Sequence, residues 1–359
     1  LLKVLVTGAA GLIGGEVCAH LAKRGHEVLA LTHRTREVRG NDGEMVALAD
    51  NLLGDVTAPM LGIGQQAFDL VIHCAANLQF DAPEIELQAI NVAGTRNALD
   101  LARAAGASFL HVSTAYVCGT QEGAIPEGPV QGGAAFTNAY EASKATAERA
   151  VENSGLRFAI ARPSIVLGDS RTGAIRDFHS LCNVFRLMAR GKVTQFPAAP
   201  GSTLDLVPID HVAQGIVQIA ERMEQAAGGH YHLVARTPMA TAELAHGVAR
   251  VAHFPDPLVV APQDYDRDAL RPAERLLAER MLTTFGAYFT RSPCFDDRRF
   301  RELTGLDCPP TDRDWLDRLI AYGLVRGYLP ADPTRNASAR RDNNVPAARA
   351  LPMPRASRP

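Results

Sequence analysis

The chain has 359 residues, with 37 lysines and arginines against 39 aspartates and glutamates and a 47% hydrophobic content. That length accommodates one large α/β domain with a smaller lobe, and the near-neutral balance gives no basic field of the kind that gathers nucleic acid, so no nucleic-acid partner is expected. The longest apolar runs, such as GIVQIA and FAIARPSIVLG, fall far short of the roughly 20 residues that a spanning helix needs, so no membrane span is expected.

The first element, KVLVTG, reads as an apolar strand running straight into the helix LIGGEVCAHLAKRG. No basic region accompanies this apolar start, so a secretory leader is not expected. Cys18, Cys74, Cys118, Cys182, Cys294 and Cys308 are scattered without metal-ligand spacing. They read as reduced, cytoplasmic thiols, with neither a disulfide framework nor a metal site. Between this strand and helix, Gly8, Gly11 and Gly14 fall at G-x-x-G-x-x-G spacing, with Leu12 and Ile13 inside the motif. Glycines there allow a tight turn and close backbone approach, and the helix N-terminus offers N–H groups to a pyrophosphate, so the loop points to a dinucleotide.

The second strand, HEVLALT, ends where an acidic residue would hold the ribose 2′-hydroxyl of NAD; the chain has His33, Arg34 and Arg36 instead. Cationic groups suit a 2′-phosphate, so NADP(H) is preferred and NAD(H) remains possible; the alternative is that these arginines sit on a solvated loop. GDV after the third strand places Asp55 and Val56 where the adenine would lie. FDLVIHCAA, the helix IELQAINVAGTRNALDLARAAG, SFLHVST, the helix AYEASKATAERAVENSG and FAIARPSIVLG follow. Strands alternating with helices predict an α/β fold, a doubly wound parallel (Rossmann) sheet covered on both faces.

Further on, AIRDFHSLCNVFRLMARGK sets Ile175, Phe178, Leu181, Cys182, Phe185 and Met188 at helical spacing, a packing stripe. The expected organisation is a Rossmann domain over 1–235 with part of the lobe (about 170–205) inserted. A smaller, mainly helical substrate lobe over 236–328 and a disordered Pro/Arg-rich tail over 329–359 complete it.

HVSTAYVCG reads as a strand, yet it holds the adjacent hydroxyls of Ser113 and Thr114, which raises the question of their partners. Tyr140 and Lys144, four apart, share a helix face. A nearby ammonium favours a phenolate, so the pair reads as a tuned general acid, with Thr114 bonding the same substrate oxygen. Ser113 is assigned to local backbone groups. His73, His111 and His211 read as packed or hydrogen-bonded histidines, and Cys118 has no basic sequence neighbour that would activate it.

Taken together, the glycine loop, the Ser/Thr strand, Y-x-x-x-K and the NVAGT helix resemble the extended short-chain dehydrogenase/reductases over roughly residues 3 to 235. The resemblance implies that Thr114 is the catalytic hydroxyl, Tyr140 the acid/base and Lys144 its partner at the cofactor ribose. It implies that Asn91 supports a proton relay. It also sets Cys74, Ala75 and Ala76 beside the cofactor, and Pro163, Ser164 and Ile165 at its nicotinamide end. Cys118 stands where the usual motif has tyrosine, and the flanking sequence is similar to the fatty acyl-CoA reductase and thioester-reductase branch, the male-sterility type of NAD-binding domain. That branch implies reduction of a fatty-acyl thioester by NADPH to an aldehyde or alcohol, the acyl group arriving on CoA or an acyl-carrier protein. Arg171, Arg176, Arg186 and Lys192 would then meet carrier phosphates, or else form a solvated helix face. A homodimer is an expectation from the family. The alternatives are a nucleotide-sugar epimerase or dehydratase, a hydroxysteroid-type dehydrogenase, or a non-catalytic NADP sensor.

Overall fold

A seven-stranded parallel sheet forms the centre of the computed structural model, which describes residues 1–80, 82–178 and 181–332. Its strands are β1 (Lys3–Thr7), β2 (Glu27–Thr32), β3 (Asp50–Leu53), β4 (Leu70–His73), β5 (Ser108–Val112), β6 (Phe158–Pro163) and β7 (Gly229–Leu233). They lie in the order β3-β2-β1-β4-β5-β6-β7, and every neighbouring pair is parallel. The winding reverses between β1 and β4, and in such sheets the crevice outside the strand ends at that point takes the ligand.

The five long helices up to residue 221 are α1 (Leu12–Lys23), α2 (Gly94–Ala105), α3 (Ala139–Glu152), α4 (Leu181–Ala189) and α5 (Ile209–Glu221). Because strand side chains alternate, Val4 and Val6 face α1 and α5 through Val17, Leu21, Val212 and Ile216, while Leu5 faces α2 through Ala98, Leu99 and Ala102. The second core lies over the strand ends and draws on both 167–206 and 234–329, with Phe185, Met188, Leu244, Trp315 and Leu319 at its centre. Four two-stranded ladders are described besides the main sheet, one of them pairing Gly123–Ile125 with Pro293–Phe295. Among the described residues, no helix is long and apolar enough to cross a membrane.

Several local expectations change. HVSTAYVCG is not one strand: β5 stops at Val112 and Ala115–Cys118 forms a 3-10 turn, because Thr114 caps it by accepting from Tyr116 N at 3.3 Å. The helix expected ahead of α2 opens into a π turn over Gln88–Ala93. The stripe from Ile175 is helical only within α4; Phe178 instead stacks on Tyr328 at 4.1 Å. Phe300, expected in the lobe, packs on the sheet domain against the His211 ring, and a Cβ on Gly215 would come within 2.8 Å of it. Leu329, expected to begin the tail, is buried and bonds back to Gly323 O; residues 333–359 lie outside the described residues.

Helix α3 buries charge: Glu141, Lys144 and Glu148 are each at most 2% exposed. Glu148 is gripped by Arg162 of β6 through Nε at 2.9 Å and a second guanidinium nitrogen at 2.6 Å. Removing one partner of such a pair strands the other charge. Arg162→Met is therefore expected to cost about 3–5 kcal/mol in urea unfolding, and adding Glu148→Leu should recover most of it.

Candidate active site

A cavity of about 570 Å³ opens at the switch point between β1 and β4. Its walls include the expected Gly8, Gly11, Leu12, Ile13, Gly14, His33, Asp55, Val56, Cys74, Ala75, Ala76, Thr114, Tyr140, Lys144, Pro163, Ser164 and Ile165. Arg34 and Asn91 are not among the lining residues. The glycine loop is shaped by close approach. Gly8 has φ +65, and a Cβ there would lie 2.6 Å from Ala75 N; a Cβ on Gly14 would lie 2.3 Å from Gly8 O. No side chain caps the N-terminus of α1, so its first-turn N–H groups suit a diphosphate. These features fit a nicotinamide dinucleotide: the backbone concavity exists only while both positions lack a side chain.

At the end of the cavity beside His33, the Asp55 carboxylate accepts from Thr57 N at 2.9 Å and Thr57 Oγ1 at 2.8 Å, bonds that lower its pKa. His33 stands 3.7 Å from it. Arg36 donates to Asn51 O, and Arg34 is exposed. Arg176, expected on a solvated helix face or at carrier phosphates, is half-buried. It donates to Arg39 O and to Ala10 O of the glycine loop, so it braces the cofactor cradle. Arg186 packs its guanidinium 4.9 Å from the centre of the Tyr328 ring.

At the other end, the Thr114 hydroxyl spends one lone pair on its cap and keeps its proton for the cavity. Lys144 Nζ donates to Val112 O at 2.8 Å and contacts His111 Nε2 at 3.2 Å. Burial pushes Lys144 down to about 8, against the opposing charge of Glu148. Tyr140 moves the other way: burial and then Glu141 raise its phenol above the ordinary value. In this environment the phenol keeps its proton, so the lowering expected from the ammonium does not dominate. Ser113 turns its hydroxyl to the Glu148 carboxylate, helping to lower its pKa, where a bond to local backbone was expected. Burial raises the Cys118 thiol to about 12, which leaves it unreactive at neutral pH.

Asn91 acts one layer out. The π turn presents its side chain to Asn77 N at 2.7 Å, Asn77 O at 3.1 Å and Ser143 Oγ at 2.9 Å, so it fixes the wall beside α3. His73 belongs to the same frame. Thr95 Oγ1 donates to Asn91 O at 2.6 Å and so accepts from His73 Nε2 at 3.2 Å. His73 Nδ1 then accepts from Thr7 Oγ1 at 2.8 Å, and Thr7 in turn accepts from Ala75 N at 3.3 Å. Burial holds this imidazole neutral by lowering it to about 3.

The sequence reading missed the aromatic wall and its anchor. Phe80 lies 5.2 Å from the Tyr140 ring and stacks on Tyr288 at 5.7 Å; Phe285 and Leu78 complete that side of the cavity. Behind them Arg291 donates to Glu141 at 2.8 Å and to Gly119 O, its guanidinium lying over the rings of Tyr116 at 5.0 Å and Tyr288 at 4.7 Å. Only Glu141 and Glu148 carried a signal, since they share a helix face with Lys144. Ser164 donates to Asp205 at 2.5 Å, which leaves backbone and Ile165 to face the cavity; burial lifts Asp205 to about 7. Glu148, Glu152 and His230 bring ligand atoms within 4.8 Å of one another. Arg162 already occupies Glu148, and His230 bonds Glu152 at 2.8 Å, so these groups are already engaged by one another and by Arg162.

A family model described as male sterility protein matches residues 6–216. The terminal R domain from the myxalamid PKS-NRPS biosynthetic pathway is 26% identical with a TM-score of 0.78, over 91% of this chain and 92% of that one. A thiolation-reductase di-domain from an archaeal non-ribosomal peptide synthetase shares the fold at 17% identity and a TM-score of 0.68, over 91% and 76% of the two chains. Aldehyde reductase lnaA of Aspergillus flavus is 24% identical over 92% of this chain, which spans 37% of that protein's length. Gly14→Ala is expected to push the glycine loop apart at a cost of about 1–3 kcal/mol, weakening binding of the reduced nicotinamide dinucleotide in a fluorescence titration by roughly tenfold or more. On the family match, the shared fold and the composition of this cavity, the chain belongs to the male sterility protein family, NAD(P)-dependent oxidoreductases of the extended short-chain dehydrogenase/reductase type.

Proposed function

We propose that the chain reduces a fatty-acyl thioester, with NADPH as the preferred reductant. The observation that carries this reading is the continuity of one cavity, from the glycine loop, past Thr114, Tyr140 and Lys144, to an apolar wall of Leu78, Phe80, Phe285 and Tyr288. Such a wall suits an acyl chain, and the likeness to a terminal R domain supports a thioester. The di-domain relative supports delivery on a carrier protein, with an acyl-CoA as the other thioester that fits. His33 in the wall and the nearby exposed Arg34, with no carboxylate closing β2, support a 2′-phosphate.

The reduced cofactor, when bound, supplies the hydride. Thr114 and Tyr140 donate to the carbonyl oxygen as negative charge develops there, and Tyr140 passes its proton to that oxygen. Lys144, fixed by Val112 O, supports the phenol and the ribose side of the cavity. The resulting hemithioacetal breaks its C–S bond, giving an aldehyde and a free thiol. The contact of the half-buried Phe80 with the Tyr140 ring shields the reacting carbon from water on that side.

The test follows NADPH loss and free thiol together, with acyl-CoAs, an acyl-carrier protein and a long-chain aldehyde. One thiol per first NADPH is the expected result. Turnover of the aldehyde alone, or of nucleotide sugars with no thiol, overturns it. Tyr140→Phe is expected to bind NADPH as before and to lose about 10²–10⁴-fold in turnover.

A further inference from the structure

We propose that His111 is a positioning residue for Lys144: its Nε2 lone pair holds the ammonium so that the remaining N–H is directed away from the sheet and into the cavity. The inference rests on the reading of Lys144 as part of the reductase centre.

Lys144 is 2% exposed and lines the cavity. Two hydrogen-bonding neighbours are described for Nζ, Val112 O at 2.8 Å and His111 Nε2 at 3.2 Å. An ammonium has three donors and no acceptor, so His111 must receive the bond at Nε2 and carry its own proton on Nδ1. Nδ1 has no partner among the described residues. The ring is instead held flat, stacked on His73 of the neighbouring strand at 5.6 Å and 21° and on Phe109 at 6.4 Å and 13°. A phenyl ring would satisfy that stack equally. The one atom that requires an imidazole is the nitrogen facing Lys144.

The groups around the ammonium make this lone pair matter. Glu148 comes from its own helix, and His73 and Cys74 from β4 and the loop after it, while Arg162 of β6 acts on His111. Glu148 is engaged by Arg162 and Glu141 by Arg291, so neither carboxylate is paired with Lys144. Burial lowers the Lys144 pKa to about 8, so the charged form is present below that pH and lost as pH rises through it. His111 is held neutral well below its ordinary value by burial, with Lys144, His73 and Arg162 adding to it, so it acts as an acceptor throughout.

The test compares His111→Phe, which keeps the stack, with His111→Gln, which restores an acceptor. The side-chain carbon resonance of Lys144, assigned by its loss in Lys144→Met, is titrated in the cofactor-free protein. Removing the acceptor is expected to lower the Lys144 titration by about one unit, the size of a bond to a charged group. The alkaline limb of turnover should move down with it, and His111→Gln should return both towards the unmutated values. An unchanged lysine titration in a folded His111→Phe overturns the proposal. In the unmutated protein, the ring nitrogen resonances below the lysine titration should show the proton on Nδ1; a proton on Nε2 overturns it without any variant. Both resonance readouts are independent of the substrate, so an unmutated enzyme that fails to release thiol would refute the thioester reading alone.

Discussion

The buried, charged face of α3 sets the terms for the rest of the molecule. Glu141, Lys144 and Glu148 occupy successive turns of one helix with almost no contact with water. A charge in that position is tolerated only where a partner is fixed against it. Each partner comes from a different part of the chain: Arg291 from the lobe, Val112 O and His111 from β5, Arg162 from β6. Meeting these three demands at once registers the helix against the sheet and the lobe against the helix. Tyr140, carried on the same helix, is thereby placed in the wall of the cavity that Thr114 also lines.

Such ion pairs contribute little net stability against a well-packed apolar alternative. Their value here is in defining position and in shaping the electrostatics of a closed space. Burial acts with opposite sign on the phenol of Tyr140 and the ammonium of Lys144, raising one and lowering the other. Desolvation is the largest cause of that asymmetry, and it leaves the phenol holding its proton. The neutral His73 network adds a second fixed frame, running from Ala75 through Thr7 and Thr95 to the π turn at Asn91.

What the sequence disclosed and what it withheld divide along physical lines. The strand–helix alternation, the glycine loop and the Tyr140–Lys144 spacing are local patterns, and local geometry alone determines what they become. The π turn at Gln88–Ala93 depends on the bonds Asn91 makes with Asn77 and Ser143, neither of which adjoins it in the chain. The aromatic wall is assembled from Phe80 and Tyr288, which meet only after the lobe has docked. Arg176 shows the converse: it looked like a surface cation because its acceptors, Arg39 O and Ala10 O, are backbone atoms that no side-chain pattern reports. Phe300 crossed an expected domain boundary because a glycine, Gly215, leaves a socket for it on α5.

The Arg291–Glu141 pair also constrains traffic. A clamshell motion of the lobe away from the sheet would pull Arg291 off the residue adjoining Tyr140, leaving two desolvated charges without each other, unstacking Tyr116 from the guanidinium and breaking the Tyr288–Glu141 hydrogen bond. A hinge there is energetically closed. Exchange of bulky reactants is then directed through the existing mouth, where Leu78 is half exposed at the rim. Passage past that rim then becomes a property of the rim's side chains and not of domain swing.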